Sequence, residues 1–289
     1  MKNKFHITLG LKAVPMMVIL LLTGCYEKFD PESYKPEFTI SGFTAVDQIA
    51  TDNLVAYWSF DGTLAEDVSG AEADNSGTTF TGGFKGQAVN MSVANKTYLT
   101  YDAGTEITGL KSFTISFWVN PTFIDANADN GIDGILGLVN LSNPAGFWGN
   151  LDWFVENGSN KNAAKIVAHI VSDGNKETWM NVSNFKGLFD GWTNHTLTYN
   201  ATTSKFNYYI NASMLSEATA GWTGDTNFTG SGPMVFGCVQ FQTTPSIGCC
   251  GHQDWASYLT GSMDEVRIYD TALTAEEITA LVVLQGKGK

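Results

Sequence analysis

Basic residues are scarce in this chain. Sixteen lysines and arginines stand against 29 aspartates and glutamates, a formal net charge of −13. Binding along a phosphate backbone needs clustered Lys and Arg, so nucleic acid is excluded as a partner and neutral or cationic ligands are favoured. Long apolar runs are also missing. The run from Ala13 to Leu22, broken by Pro15, is too short to span a bilayer. With Lys2, Lys4 and Lys12 ahead of it, it reads as the hydrophobic region of a signal peptide. Cysteines number only four, and the spacing of Cys238, Cys249, Cys250 and His252 does not match paired zinc ligands. Catalytic spacings are lacking as well. There is no G-x-S-x-G elbow, and His169, His195 and His252 fall in unrelated contexts. The nearest carboxylate pair, Asp152 and Glu156, would lie ~13 Å apart along one strand at ~3.3 Å per residue. Paired carboxylates that cleave glycosides sit roughly 5–9.5 Å apart. No enzyme is expected.

What is present begins at the N-terminus. Leu22-Thr23-Gly24-Cys25 resembles the lipobox of bacterial lipoproteins, which implies residues 1–24 as signal peptide and lipidation at Cys25. Tyr26 follows rather than Asp, so nothing argues for retention at an inner membrane. The expected location is the outer membrane, lipid-anchored and facing the cell surface. Residues 25–51 are polar and contain prolines, as a tether does. Residues 52–289 remain as one domain, long enough for a single core and without an internal repeat. In an oxidising compartment one disulfide is expected, pairing Cys238 with Cys249 or Cys250, or joining the adjacent Cys249 and Cys250.

The segment Gly261–Ile278 (GSMDEVRIYDTALTAEEI) is a strand, a turn and a capped helix. Side chains alternate along a strand, so Asp264 is expected on the face of Val266 and Ile268, where an unpaired carboxylate is costly. Thr274 and Glu277 form a T-x-x-E capping box. Ile278, Leu281 and Val282 then supply a short apolar stripe.

This closing segment resembles that of laminin-G-like, concanavalin A-like jelly-roll domains. Other signatures follow in the expected order: Tyr57–Gly62 (YWSFDG), Phe84–Val89 (FKGQAV), Ser112–Val119 (SFTISFWV), Trp192–Tyr199 (WTNHTLTY) and Tyr208–Asn211 (YYIN). Ala212 replaces the Gly that ends the last motif. Together they span roughly residues 54 to 284. The resemblance implies an all-β jelly-roll sandwich of two antiparallel sheets with a short C-terminal helix. It also implies a structural Ca²⁺ with Asp61 and Asp264 as ligands, hard oxygen donors that suit this ion. The E-x-D-x-x-E run of the glycan hydrolases sharing this fold is absent. A second calcium candidate, the loop from Asp125 to Asp133, starts like an EF-hand but has Gly one place late and Leu136 at the twelfth position.

Carbohydrate recognition combines an exposed aromatic ring with nearby polar side chains. Trp58, Trp118 and Trp192 lie in fold signatures and should be packed. Trp148, Trp153, Trp179, Trp222 and Trp255 lie outside them, in surroundings rich in Gly, Asn and Asp, and several are expected on one rim. His252, Gln253 and Asp254, just before Trp255, complete the candidate carbohydrate site. The expected function is that of a non-catalytic glycan-binding surface lipoprotein, capturing polysaccharide or oligosaccharide beside an outer-membrane importer. The alternatives are a protein-interaction or adhesion module and a glycoside hydrolase lacking the usual motif.

Overall fold

The computed structural model describes residues 37–124, 135–156 and 160–289. The signal peptide, Cys25 and the Asp125–Asp133 loop lie outside them, so those expectations stay as they were. Among the described residues the strands are β1 (Leu54–Trp58), β2 (Asp74–Ser76), β3 (Thr79–Gly82), β4 (Gln87–Met91), β5 (Tyr98–Tyr101), β6 (Phe113–Pro121), β7 (Leu136–Leu141), β8 (Leu151–Glu156), β9 (Ala164–Ser172), β10 (Lys176–Phe185), β11 (Thr193–Asn200), β12 (Lys205–Ile210), β13 (Ser213–Thr219), β14 (Met234–Phe236) and β15 (Gly261–Tyr269). Two helices, α1 (Gly104–Thr108) and α2 (Ala275–Gln285), complete them.

The strands build two antiparallel sheets. One has eight strands, in the order β13-β12-β11-β6-β15-β4-β3 with β1 also paired to β15. The other has seven, in the order β10-β9-β8-β7-β14-β5-β2. Period-two alternation decides which side chains meet between them. On β9, Ala164, Ile166, Ala168 and Ile170 point inward, while Lys165, Val167 and His169 point out. On β6, Phe113, Ile115, Phe117 and Val119 point inward. Large rings fill the space: Trp58, Phe113, Phe117, Trp153, Tyr199, Phe206 and Phe236 are fully buried. Each such ring contributes roughly 1.5–3 kcal/mol by leaving water.

The central strand β15 departs from simple alternation. Asp264 pairs with Trp118 and Arg267 with Ser116, so Glu265 and Val266 together face Phe117, a β-bulge with Glu265 at φ 50°. Met263, Val266 and Ile268 point into the core. Asp264 stands with Trp118 on the outer face, not with Val266 and Ile268 as strict alternation implies. The extra residue turns it away from the core. It is buried all the same, beneath the turn Gly83–Gln87.

The capping box of α2 forms as expected. Thr274 Oγ1 accepts the Glu277 amide at 3.2 Å, and Glu277 Oε2 accepts the Thr274 amide at 2.8 Å. Ile278, Leu281 and Leu284 dock the helix over Tyr269 and Tyr209 on the outer face of the eight-stranded sheet. Val46 and Ile49 are buried in the same cluster. The packed domain therefore starts before residue 52, and residues 40–51, read as part of a tether, include chain held down by these two apolar side chains.

Candidate functional site

Among the described residues, no α-helix lies on the outer face of the seven-stranded sheet. Register places Trp179 of β10, His169 of β9, Asp152 of β8 and Asn140 of β7 in one row across it. The row is bonded throughout. Asn140 Nδ2 and the Gly149 amide donate to Asp152 Oδ1 at 2.6 and 3.0 Å. Asp152 Oδ2 lies 3.1 Å from His169 Nδ1. Burial pushes the Asp152 carboxyl above the usual carboxylate range, and the hydrogen bond from His169 pulls it back. The His169 ring then stacks on Trp179, with centroids 3.8 Å apart and planes 18° from parallel.

Aromatic rings extend from this row. Trp148, half-buried, meets Trp179 edge to face at 5.6 Å, Trp255 at 6.5 Å and Phe154 in a parallel stack at 5.6 Å. Phe147 and Phe241 pack beneath Trp255. Trp179 and Trp255 expose 42% and 47% of their surface, and the half-buried Trp148 lies between them. Both hold their indole N–H in the same way, with an acceptor two residues earlier. Trp179 Nε1 donates to Glu177 Oε2 at 3.0 Å, and Trp255 Nε1 donates to Gln253 Oε1 at 3.1 Å. Gln253 Nε2 in turn reaches the carbonyls of Cys250 and Gly251. Such ties orient a ring without covering it.

The structure thus brings together Trp148, Trp179, Trp255 and Gln253 of the sequence-derived set. Asp254 and His252 lie beside them on the same loop, exposed, with His252 Nε2 3.6 Å from Asp254 Oδ1. Trp153 and Trp222 do not belong to the rim. Trp153 points inward between Leu151 and Val155 and donates to Tyr208 Oη, and Trp222 packs on Tyr199 and Phe206. His195 is a packed strand histidine, as its motif suggested, and burial drives its pKa down to about 3. Sequence reasoning missed the supporting residues Phe147, Phe241, His169 and Glu177. The repeated spacing Glu177-x-Trp179 and Gln253-x-Trp255 was the signal available for Glu177.

Cys249 and Cys250 are bonded to each other, the adjacent alternative, and both are exposed. Cys238 is a free thiol buried against Tyr98, Val235 and Tyr258, so it leaves the set of disulfide candidates.

Asp61 and Asp264 close on one turn of the other sheet. The Lys85 amide donates to Asp264 Oδ2 at 2.9 Å, the Glu265 amide to its Oδ1 at 2.8 Å, and the Gln87 amide to Asp61 Oδ1 at 2.6 Å. Gly86, at φ 62°, sits so close to Asp61 that a Cβ there would collide with the carboxylate. Among the described residues no three His, Cys, Asp or Glu side chains converge as a metal cluster.

Two antiparallel sheets packed face to face, one with tryptophans exposed on its outer side, form a jelly roll. The chain belongs to the concanavalin A-like lectin/glucanases superfamily, whose model matches residues 93–279. Solved structures agree on the fold. The binding domain of Paraclostridial Mosquitocidal Protein 1 superposes with a TM-score of 0.59 at 16% identity, over 81% of this chain and 52% of that one. Domain 4 of AbnA, a GH43 extracellular arabinanase from Geobacillus stearothermophilus solved with arabinotriose, gives 0.52 at 16% identity, over 80% and 98%. The binding domain of Botulinum Neurotoxin DC in complex with SialylT gives 0.55 at 16% identity, over 82% and 52%. The chain thus spans about half the length of the toxin binding domains it matches. No curated protein matches the sequence.

Proposed function

We propose that this is a non-catalytic carbohydrate-binding protein. It captures a polysaccharide or oligosaccharide on the open face of the seven-stranded sheet and passes it toward an outer-membrane importer. A lipid at Cys25 holds it at the outer surface. The observation that carries the reading is the pair of exposed tryptophans, each tethered at its indole N–H, on either side of half-buried Trp148. Sugar rings stack their C–H faces on such indoles, and Glu177, His252, Gln253 and Asp254 beside them supply polar atoms suited to a sugar's hydroxyls. The arabinotriose held by the arabinanase domain makes arabinan the first probe. Affinity electrophoresis in gels containing arabinan, xylan or β-glucan should retard the wild type but not Trp255→Ala or Trp179→Ala. A wild type that binds no glycan across a broad array ends the reading.

A protein partner is the second reading. Met214 and Leu215 are adjacent and exposed on β13, which lies at the end of the eight-stranded sheet. Loss of a pulled-down partner in a Met214→Ser/Leu215→Ser variant, with glycan retention intact, would support it.

A structural calcium at Asp61 and Asp264 is a separate proposal. In its favour, both carboxylates close on the same turn, and burial pushes Asp264 up to about 7, a cost that a divalent cation would relieve. Against it, amide donors already occupy both Asp264 oxygens. A melting temperature unchanged by EGTA would dismiss the ion.

A further inference from the structure

The His169 Nε2 atom is buried and makes no hydrogen bond, although Glu177 Oε2 lies 3.5 Å away. That same oxygen accepts the Trp179 indole N–H. On the other side of the ring, Asp152 Oδ1 takes two N–H donors, an arrangement that favours the carboxylate, and its Oδ2 then takes Nδ1–H from the imidazole. A neutral imidazole is left with a lone pair on Nε2 facing a carboxylate oxygen. One added proton turns this opposition into an N–H···O bond and places an imidazolium between two carboxylates.

We infer that His169 is a positioning residue for Trp179: a proton held between His169 Nε2 and Glu177 fixes the tryptophan over the imidazole and sets the geometry of the open face. The groups facing the ring support this. Asp152 comes from β8 and Glu177 from β10, while Trp148 meets the imidazole with an aromatic edge. No Lys or Arg among the described residues pairs with either carboxylate. The consequence for ligand capture rests on the glycan reading: a platform held at lower pH is preorganised and binds more tightly, whereas a released Glu177–Trp179 pair adds the cost of ordering. Glu177 is half-exposed, so the gain is modest, about two- to fivefold in affinity.

The test needs no glycan, so it stands or falls apart from the proposed function. An imidazolium stacked on an indole quenches its emission. Tryptophan fluorescence of the ligand-free protein, titrated from about pH 8 to pH 5 where histidines change charge, should fall in a single transition. Trp179→Phe and His169→Gln should lose that transition. Glu177→Gln, altered at a half-exposed position that leaves the core intact, should keep the quench and move its midpoint to lower pH. Emission flat with pH in the wild type, or a Glu177→Gln midpoint that does not move, overturns the inference. A transition that survives in folded His169→Gln overturns it equally.

Discussion

The two outer faces of the sandwich are built from similar parts and left in opposite states. On the eight-stranded sheet, Arg267 pairs with Glu265 at 3.1 Å and lies over the Tyr57 ring. Tyr57 Oη donates to Glu265 at 2.6 Å, and Gln285 joins Glu265 to the Trp118 indole. Phe84 stacks on Trp118 at 3.5 Å, and α2 covers the cluster. On the seven-stranded sheet, Asp152, His169 and Glu177 make the corresponding acid–base chain, and Trp179 stacks on His169. Among the described residues no α-helix lies over it. Similar parts, an ionisable chain tied to a stacked aromatic ring, form an internal joint where they are roofed and a surface where they are not. What separates the two faces is the covering, not the residue types.

This contrast can be broken most forcefully on the covered face. Glu265→Ala leaves Arg267 buried without its carboxylate and should cost about 3–5 kcal/mol of unfolding free energy, read from urea denaturation. The same measurement on Trp179→Ala and Trp255→Ala should show little change. Those variants should instead lose about 2 kcal/mol of glycan binding by isothermal titration. Folding losses on the open face comparable to those at Glu265 would erase the distinction.

A smaller effect sharpens the electrostatic side. Burial pushes the Asp264 carboxyl up to about 7, above its unfolded value of about 4. The folded chain therefore keeps a proton that the unfolded chain releases. The stabilisation is complete below about pH 4 and is lost as the pH rises through about 7. Asp264→Asn should flatten the fall in melting temperature across that window. The smallest effect concerns the hairpin between β12 and β13, where Asn211 and Ala212 adopt φ of 50° and 63°. Alanine is strained in this left-handed region, so Ala212→Gly should stabilise the protein by about 0.4–1 kcal/mol without touching the open face.

The jelly roll was legible because its carriers are local: a capping box needs only Thr274 and Glu277, and alternation along Ser112–Val119 needs no partner. Asp264 was misplaced because alternation presumes an unbroken register, and the bulge at Glu265 arises from pairing with β6, which the strand's own sequence does not display. Trp153 was assigned to the rim from its polar surroundings, although Leu151, Trp153 and Val155 already read as one inward face. Trp222 could not be placed, since its burial depends on Tyr199 and Phe206, two strands away in the chain. Three of the five tryptophans outside the fold signatures did meet. The residues beneath them stayed hidden because His169 and Asp152 become neighbours only through the pairing of β8 with β9.

The bond between Cys249 and Cys250 closes a ring with no intervening residue. It ties no distant parts of the chain together, and the entropy a cross-link removes from the unfolded ensemble grows with the loop it encloses. Cys238 is sealed in the interior with its thiol pushed well above the usual range by burial. Recombinant production should therefore need neither export nor an oxidising strain. Material purified from a reducing cytoplasm should carry the whole sandwich, differing only in how firmly the loop bearing Trp255 is set.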